Sequence, residues 1–477
     1  MTTLTIVWLV LPLMAGLMAY LLPRLARSLG IGVAIASIAY GLALILRQTP
    51  FSLELLDSFG VTLMADPLSG FFILTNGLVT AAVILYCWSG QRSAFFFAQL
   101  YILHGSLNSA FLCADFVSLY VALEVISIAV FLLIAYPRTN RSIWVGLRYL
   151  FVSNTVMLFY LVGAVLVYEA NQSFAFSGLA QAAPEAQALI LLGLLTKGGV
   201  FISGLWLPLT HSEAEVPVSA ILSGVAIKAG IFPLVRCAQM LDSVDPIIRL
   251  FGLGTAFLGI SFALFEKDIK RILAFSTISQ VGFVLAAPPV AGFYALGHGL
   301  AKTALFLTAG SLPSRNLDNL RQQPMATPAW ATITAGGLSL AGMPLLTGFA
   351  SKALTLENLL SWQVIGMNTA AIGSAIVFAR VIFLPHQPTS EQKMAPGFWP
   401  AILLLGAALV AANAFYIEAY SLTKITKALA IIALGWLIYF GVIRRMALLL
   451  PRTLELLEHL IGVMSLALIG LFWLVLA

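Results

Sequence analysis

Charge is scarce in this chain. Of its 477 residues only 9% are Asp, Glu, Lys or Arg and 61% are hydrophobic, where a soluble domain carries about 25% charged residues. The bilayer is therefore its main solvent, and no polar stretch is long enough to fold as a separate soluble domain. Cysteine is equally sparse. Cys87, Cys113 and Cys237 stand far apart in apolar runs without CxxC spacing, which argues against a metal or iron–sulfur centre and leaves them as small buried hydrophobes. There is no dinucleotide fingerprint and no haem-ligand pattern, so no cofactor is expected on this chain. Residues 1–24 lack a basic start and a small-residue cleavage site, and read as a retained first span, not a signal peptide. The formal net charge of +6 is loop charge obeying topology and gives no reason to expect nucleic acid as a partner.

What the chain has instead is a succession of long apolar runs. A window of about 19 residues marks sixteen candidate spans, at 4–23, 29–46, 67–88, 95–113, 116–136, 144–168, 187–207, 217–237, 246–265, 272–288, 291–312, 328–360 (interrupted), 363–384, 398–415, 426–443 and 459–476. The expected fold is an all-α polytopic membrane protein with about 14–16 transmembrane helices. The last two runs admit a second reading, with a lateral or amphipathic segment near 444–458. With the N-terminus outside, the inside connections hold fourteen basic residues: Arg24, Arg27, Arg92, Arg138, Arg141, Lys267, Lys270, Arg271, Arg315, Arg321, Lys393, Arg444, Arg445 and Arg452. The outside connections hold five: Arg47, Arg236, Arg249, Lys424 and Lys427. This positive-inside bias predicts a multi-pass protein of the cell (inner) membrane with both termini facing outward.

Against that apolar background five charged residues lie deep inside spans: Glu124, Lys197, Lys228, Lys302 and Lys352. Each costs at least ~2.5–3.5 kcal/mol near a bilayer centre on insertion scales. Five together argue for a polar path through protein, and the proton is the most economical cargo. A lysine suits a relay because apolar surroundings favour its neutral amine, whereas a nearby carboxylate favours the ammonium. Arginine does not deprotonate and cannot take that role. Moving Glu124 toward or away from Lys197 would thus switch that lysine between holding and releasing a proton, with Lys228 as receiver and Lys302 and Lys352 beyond. His298 stands four residues before Lys302 on one helical face and can bridge a gap.

Two runs look broken. Pro208 and Pro217 are expected to stop regular helix after the span ending at 207, within a stretch that also holds His211, Glu213 and Glu215. Gly342, Pro344 and Gly348 interrupt 328–360. Non-helical backbone at membrane depth survives only inside protein or along a wet cavity, and a similar interruption in each half points to an inverted-repeat transporter. Structural readings compete at each position. Lys197, Lys228 and Lys352 could be fixed charges that set helix packing, Glu124 could pair with Arg148, and Lys302 could satisfy broken-helix carbonyls. His104 reads as a helix–helix hydrogen bond. Asp66 and Asp115 read first as helix caps, with a role at an ion entrance as the alternative. Residues 266–271 read as a mostly solvated charged loop.

Several stretches then match a family pattern. Residues 108–136 (NSAFLCADFVSLYVALEVISIAVFLLIAY), 206–236 (WLPLTHSEAEVPVSAILSGVAIKAGIFPLVR), 266–287 (EKDIKRILAFSTISQVGFVLAA), 297–312 (GHGLAKTALFLTAGSL) and 342–356 (GMPLLTGFASKALTL) occur in the family's order. They resemble the antiporter-like subunits of complex I and of Mrp-type cation/proton antiporters. Gly297 stands where the family usually has Asn, and 114–117 reads ADFV where GDLF is usual. The lysine at 352 resembles the D-type subunits of Mrp antiporters more than the complex I subunit that carries glutamate there. The resemblance implies N-terminal helices over 1–94, two inverted five-helix repeats at 95–237 and 246–384, and C-terminal helices over 385–477. It also implies Glu124 and Lys197 as an interacting pair, Lys228 as central relay and Lys352 as the terminal ionisable group. Residues 450–462 lie outside the shared core and are expected to dock a neighbouring subunit.

The leading expectation is a proton-conducting subunit of a multisubunit cation/proton antiporter, with sodium as the expected counter-ion. Translocation is then expected only within a complex, whose partners are other membrane subunits and the lipid bilayer. A second reading keeps the fold as a proton-pumping membrane-arm subunit of a complex I-like oxidoreductase or related hydrogenase, with the redox chemistry on partner subunits. A third is a structural subunit that conducts nothing.

Overall fold

The computed structural model describes residues 2–47, 49–56, 60–388, 394–446 and 450–476. Lys393, counted above among the inside charges, lies outside the described residues. The first elements are helices α1 (Thr2–Leu21) and α2 (Ala26–Arg47), strands β1 (Phe51–Glu54) and β2 (Thr62–Ala65), and helices α3 (Pro67–Tyr86), α4 (Ala94–Ala110), α5 (Phe116–Ile134) and α6 (Asn140–Asn171). Next come α7 (Pro184–Lys197), α8 (Leu207–Glu213), α9 (Val216–Ile221), α10 (Lys228–Met240), α11 (Asp245–Phe265), α12 (Ile269–Ala286) and α13 (Ala291–Ala309). The remainder are α14 (Leu317–Leu320), β3 (Met325–Ala326), α15 (Thr327–Ala341), α16 (Thr347–Glu357), α17 (Val364–Ile382), β4 (His386–Gln387), α18 (Phe398–Ala414), α19 (Leu422–Gly441) and α20 (Leu457–Leu476).

Thirteen helical segments among the described residues are long and apolar enough to cross a bilayer. The 17-residue helices α4 and α18 and the broken pair α15–α16 account for the other three apolar runs. Two sheets were not anticipated: β1 and β2 form an antiparallel hairpin pairing Phe51 with Ala65, and β3 pairs with β4 in parallel.

Burial divides the helices. All of α12 and α13 is buried, as is the whole apolar window of Val216–Met240, whereas α19 and α20 leave most of theirs exposed. A helix apolar on every side can sit either in a core or against lipid. Here the central helices carry the ionisable groups and the peripheral ones present Leu, Ile and Trp outward.

The connections sort onto two faces. On one, Arg27 donates to the Gly90 carbonyl (2.9 Å), Arg92 pairs with Glu215, Arg141 with Glu213 (3.4 Å), and Lys267 with Asp318 (2.7 Å). On the other, Arg236 pairs with Asp66 and Lys424 with Glu357 (2.7 Å). The basic residues assigned to one side of the membrane therefore meet partners assigned to the same side.

The first helix break differs from the expectation. It falls at residues 198–200, directly after Lys197, where Gly199 has φ +62°, and Phe201, two residues on, has φ +53°. Pro208 and Pro217 do not stop helices; they sit in the first turns of α8 and α9, where a missing N–H costs nothing. The second break matches its expectation, with Gly342 at φ +94° ending α15 and Leu345 at φ +72° before α16. A third interruption was not foreseen. Residues Leu222–Ala226 form a π-helical turn immediately before Lys228, the kind of insertion that concentrates at functional positions.

The C-terminal segment is a connector, not a long amphipathic helix, among the described residues of 444–458. It leads from α19, packed on α17, to α20, packed on α7 and on the Phe201–Trp206 turn.

Candidate functional site

Lys197 is the last residue of α7, at the helix end created by the glycine break. Its Nζ lies 3.6 Å from Glu124 Oε1 on α5. It also donates to the Leu123 carbonyl (3.2 Å) and to Ser127 Oγ. The alternative partner for Glu124 is ruled out by position, since Arg148 donates to the backbone carbonyl of Glu455. A small cavity of about 20 Å³ adjoins Lys197, walled by Tyr149, Trp206, Leu207 and Ala226, room for about one water.

The break also sets the approach of the next helix. A Cβ on Gly230 would fall 2.2 Å from the Gly198 nitrogen and 2.7 Å from the Lys197 carbonyl carbon, so α10 touches the broken end of α7 two residues beyond Lys228. Lys228 Nζ donates to the carbonyls of Ser223 (3.3 Å) and Gly224, which belong to the π turn. It points at α13, where a Cβ on Gly299 would lie 3.3 Å from Nζ.

On α13, Lys302 donates to the Leu273 carbonyl (2.9 Å) and to Ser276 Oγ. Neither lies at a broken helix end, because α12 is continuous. The pattern repeats that of Lys197, a backbone carbonyl plus a serine on one neighbouring helix, but position 274 is Ala and no acid pairs with Lys302 among the described residues. His298 is 2% exposed, both ring nitrogens lack a hydrogen-bond partner among the described residues, and its charged neighbours are Lys228 and Lys302. Its preceding residue, Gly297, faces Thr347 and Ser351 on α16. Lys352 on α16 donates to the Ala341 carbonyl (3.4 Å), the end of α15, and lies 4.9 Å from the Phe283 ring centroid. The structural alternative weighed for Lys302, satisfying broken-helix carbonyls, describes Lys352 at the end of α15 instead, while Lys228 serves the carbonyls of the π turn. A cavity of about 80 Å³ runs from Lys352 to Glu357, Lys424 and Lys427 at the membrane edge.

Two groups of residues were missed or misplaced by sequence reasoning. His211, noted only as polar, lies on α8, is 0% exposed and stacks on Phe306 at 4.7 Å. Both its ring nitrogens lack a hydrogen-bond partner among the described residues, and Lys270 and Lys302 are its charged neighbours. A histidine between Thr210 and Ser212, close to Pro208, was the available signal. Residues 266–271 are not a solvated loop: Glu266, Lys270 and Arg271 are all buried. Lys270 donates to the Ala214 carbonyl (2.5 Å), and Arg271 bridges Glu266 (2.6 Å) and Glu455 (2.5 Å). Burial alone would raise the Glu266 carboxyl, but Arg271 and the N–H groups of Asp268 and Lys267 hold it below its ordinary value. Asp66 is likewise held down, against burial, by Arg236 and the Ser69 N–H.

Asp66 and Asp115 cap α3 and α5 by accepting from Ser69 N (2.9 Å) and Ser118 N (2.7 Å). His104 binds Ser37 Oγ and Thr80 Oγ1, both at 2.8 Å. No group of three or more His, Cys, Asp or Glu among the described residues could hold a metal.

Known proteins resemble this chain in sequence and fold. The chain is 28% identical over 369 residues to the D subunit of the Na(+)/H(+) antiporter of Alkalihalophilus pseudofirmus, covering 70% of this chain and 75% of that one. It is also 28% identical over 393 residues to the NAD(P)H-quinone oxidoreductase chain 4 1 of a Synechococcus species, covering 74% of each. Its fold is similar to a chain in the Mrp complex from a Dietzia species, with a TM-score of 0.77 at 24% identity over 98% of this chain and 59% of that one. Residues 113–377 match the family described as NADH:quinone oxidoreductase/Mrp antiporter, TM. That segment holds all six of the ionisable residues singled out above, and the chain belongs to this family of multi-span membrane proteins.

Proposed function

We propose that the chain is the proton-conducting subunit of a multisubunit cation/proton antiporter that exchanges sodium for protons. The observation that carries this reading is the Glu124–Lys197 pair at 3.6 Å, placed at a helix break whose backbone touches the helix of Lys228. With the pair closed, the carboxylate favours the ammonium of Lys197. When the pair opens, Lys197 keeps only the neutral Leu123 carbonyl and Ser127 hydroxyl in a buried setting, and its proton is released toward Lys228. His298 and Lys302 on α13 continue the path, and Lys352, beside the cavity that reaches the membrane edge, is its terminus. The two five-helix units are 95–237 and 246–384, each with one broken helix. The face rich in Arg and Lys is cytoplasmic, which puts both termini outside. Other membrane subunits complete the assembly.

A second reading, a membrane-arm subunit of a complex I-like oxidoreductase, is kept because the cyanobacterial relative is as similar, at 28% identity, as the antiporter relative. One experiment separates these readings. In vesicles carrying the assembled complex, sodium addition should dissipate a pH gradient, and Lys197→Ala should abolish the response. A complex that moves protons only when a quinone is reduced would favour the second reading, and unchanged transport with Lys197→Ala would leave only the structural role.

A further inference from the structure

A cavity of about 220 Å³ lies at the membrane edge where the last turns of α11, α17 and α19 converge, with α14 beside it. Among the described residues five cations line it, Lys267, Arg321, Arg380, Arg444 and Arg445, against the single carboxylate of Asp318. That carboxylate is already shared by Lys267 (2.7 Å) and Arg321 (3.5 Å). Arg380, 9% exposed, spends its donors on the carbonyls of Ala263 and Glu266. Arg444 stacks over the Phe440 ring, and neither it nor Arg445 has an acidic partner among the described residues. Helix C-termini welcome cations, which explains one or two of these residues. It does not explain a cavity that collects five around one acid and leaves space between them.

We propose that this cavity binds the phosphate of an anionic phospholipid. A phosphate accepts from several guanidinium groups at once, and arginine is the side chain best matched to it. Basic pockets between helices at the face rich in Arg and Lys suit such headgroups. The lipid source, in preference to free phosphate, follows from what adjoins the cavity. Leu437 (71% exposed) and Phe440 (41% exposed) continue along α19 from Arg444 and give acyl chains an apolar wall within about 10 Å of the headgroup. This assignment does not depend on the route taken by protons.

The test uses the full chain in nanodiscs of mixed phosphatidylglycerol and phosphatidylcholine, released for native mass spectrometry. Wild type should retain phosphatidylglycerol in preference to phosphatidylcholine. Joint replacement Arg444→Ala and Arg445→Ala, both exposed and outside any helix core, should weaken that retention roughly thirtyfold. Joint replacement Arg24→Ala and Arg138→Ala, exposed cations elsewhere on the same face, should leave it unchanged. A parallel arm titrates lipid-free protein in detergent with inorganic phosphate and follows thermal unfolding. Equal retention of both lipids by wild type, or undiminished phosphatidylglycerol in the Arg444/Arg445 variant, overturns the proposal. Stabilisation by inorganic phosphate without lipid preference overturns it too, by assigning the cavity to a free anion.

Discussion

Glu124 Oε1 and Lys197 Nζ face each other at 3.6 Å from two different helices, the carboxylate side chain 22% exposed and the ammonium side chain 6%. The pair is asymmetric: the cation is enclosed and held by Leu123 O and Ser127, while the acid keeps access to the surroundings. Glu124→Gln preserves size but removes the charge that favours protonated Lys197. Sodium-driven proton movement in vesicles should fall at least roughly tenfold, about 1.4 kcal/mol on a limiting barrier, with the complex still assembled. Wild-type rates in Glu124→Gln would mean that the carboxylate has no part in switching the lysine.

Lys228 tests whether proton release, and not mere charge, matters at the centre. Its ammonium fills the π turn by donating to Ser223 and Gly224 carbonyls, which a guanidinium could also do. Lys228→Arg should therefore keep the fold and lose transport, because guanidinium does not give up its proton. Full transport by this variant, measured in the same vesicles, would reduce Lys228 to an electrostatic anchor.

The first break depends on one backbone conformation. Gly199 has φ +62°, and a Cβ there would come within 2.3 Å of Leu207 Cδ1. Gly199→Ala combines left-handed strain with that clash and should cost about 1–3 kcal/mol, read as a lower unfolding temperature in detergent. Gly406→Ala is the matched control, since nothing among the described residues lies within 4 Å of a Cβ there.

Acid sensitivity should come from Glu266. Its carboxyl is held below its ordinary value, so its stabilising contribution is complete above the unfolded value near 4.5 and is lost as pH falls through the lower folded value. Glu266→Gln should be less stable than wild type at pH 7 by about 3 kcal/mol, the scale of breaking a buried pair. Unfolding curves of the two proteins should converge as the pH drops well below 4.5. A gap that stays constant to low pH would show that the ion pair with Arg271 is not its source.

Much of this was readable from the residues alone. Hydropathy located the helices because a bilayer demands long apolar runs. Lys197, Lys228, Lys302 and Lys352 stood out because charge there is costly. The break positions were less legible, because proline both ends and begins helices and only the positive φ of Gly199 decides where α7 stops. No local pattern marks the π turn before Lys228, which is an insertion in hydrogen bonding and not in composition. The burial of Arg271 could not be read from its neighbours, since Glu455 reaches it from 184 residues away.

That last contact changes what motions the molecule allows. The connector after α19 pins Glu455 to Arg271 and to Arg148, and Arg452 to Glu266, before α20 settles against α7. The described part of this connector is thus fastened to the core by one buried ion pair, Arg271–Glu455, by the Arg148 hydrogen bond to the Glu455 carbonyl, and by Arg452, itself largely exposed, on Glu266. Such a fastening resists displacement of α20 from α7, so the proposed proton path calls for side-chain rotation and shifts at the helix breaks in place of bundle rocking.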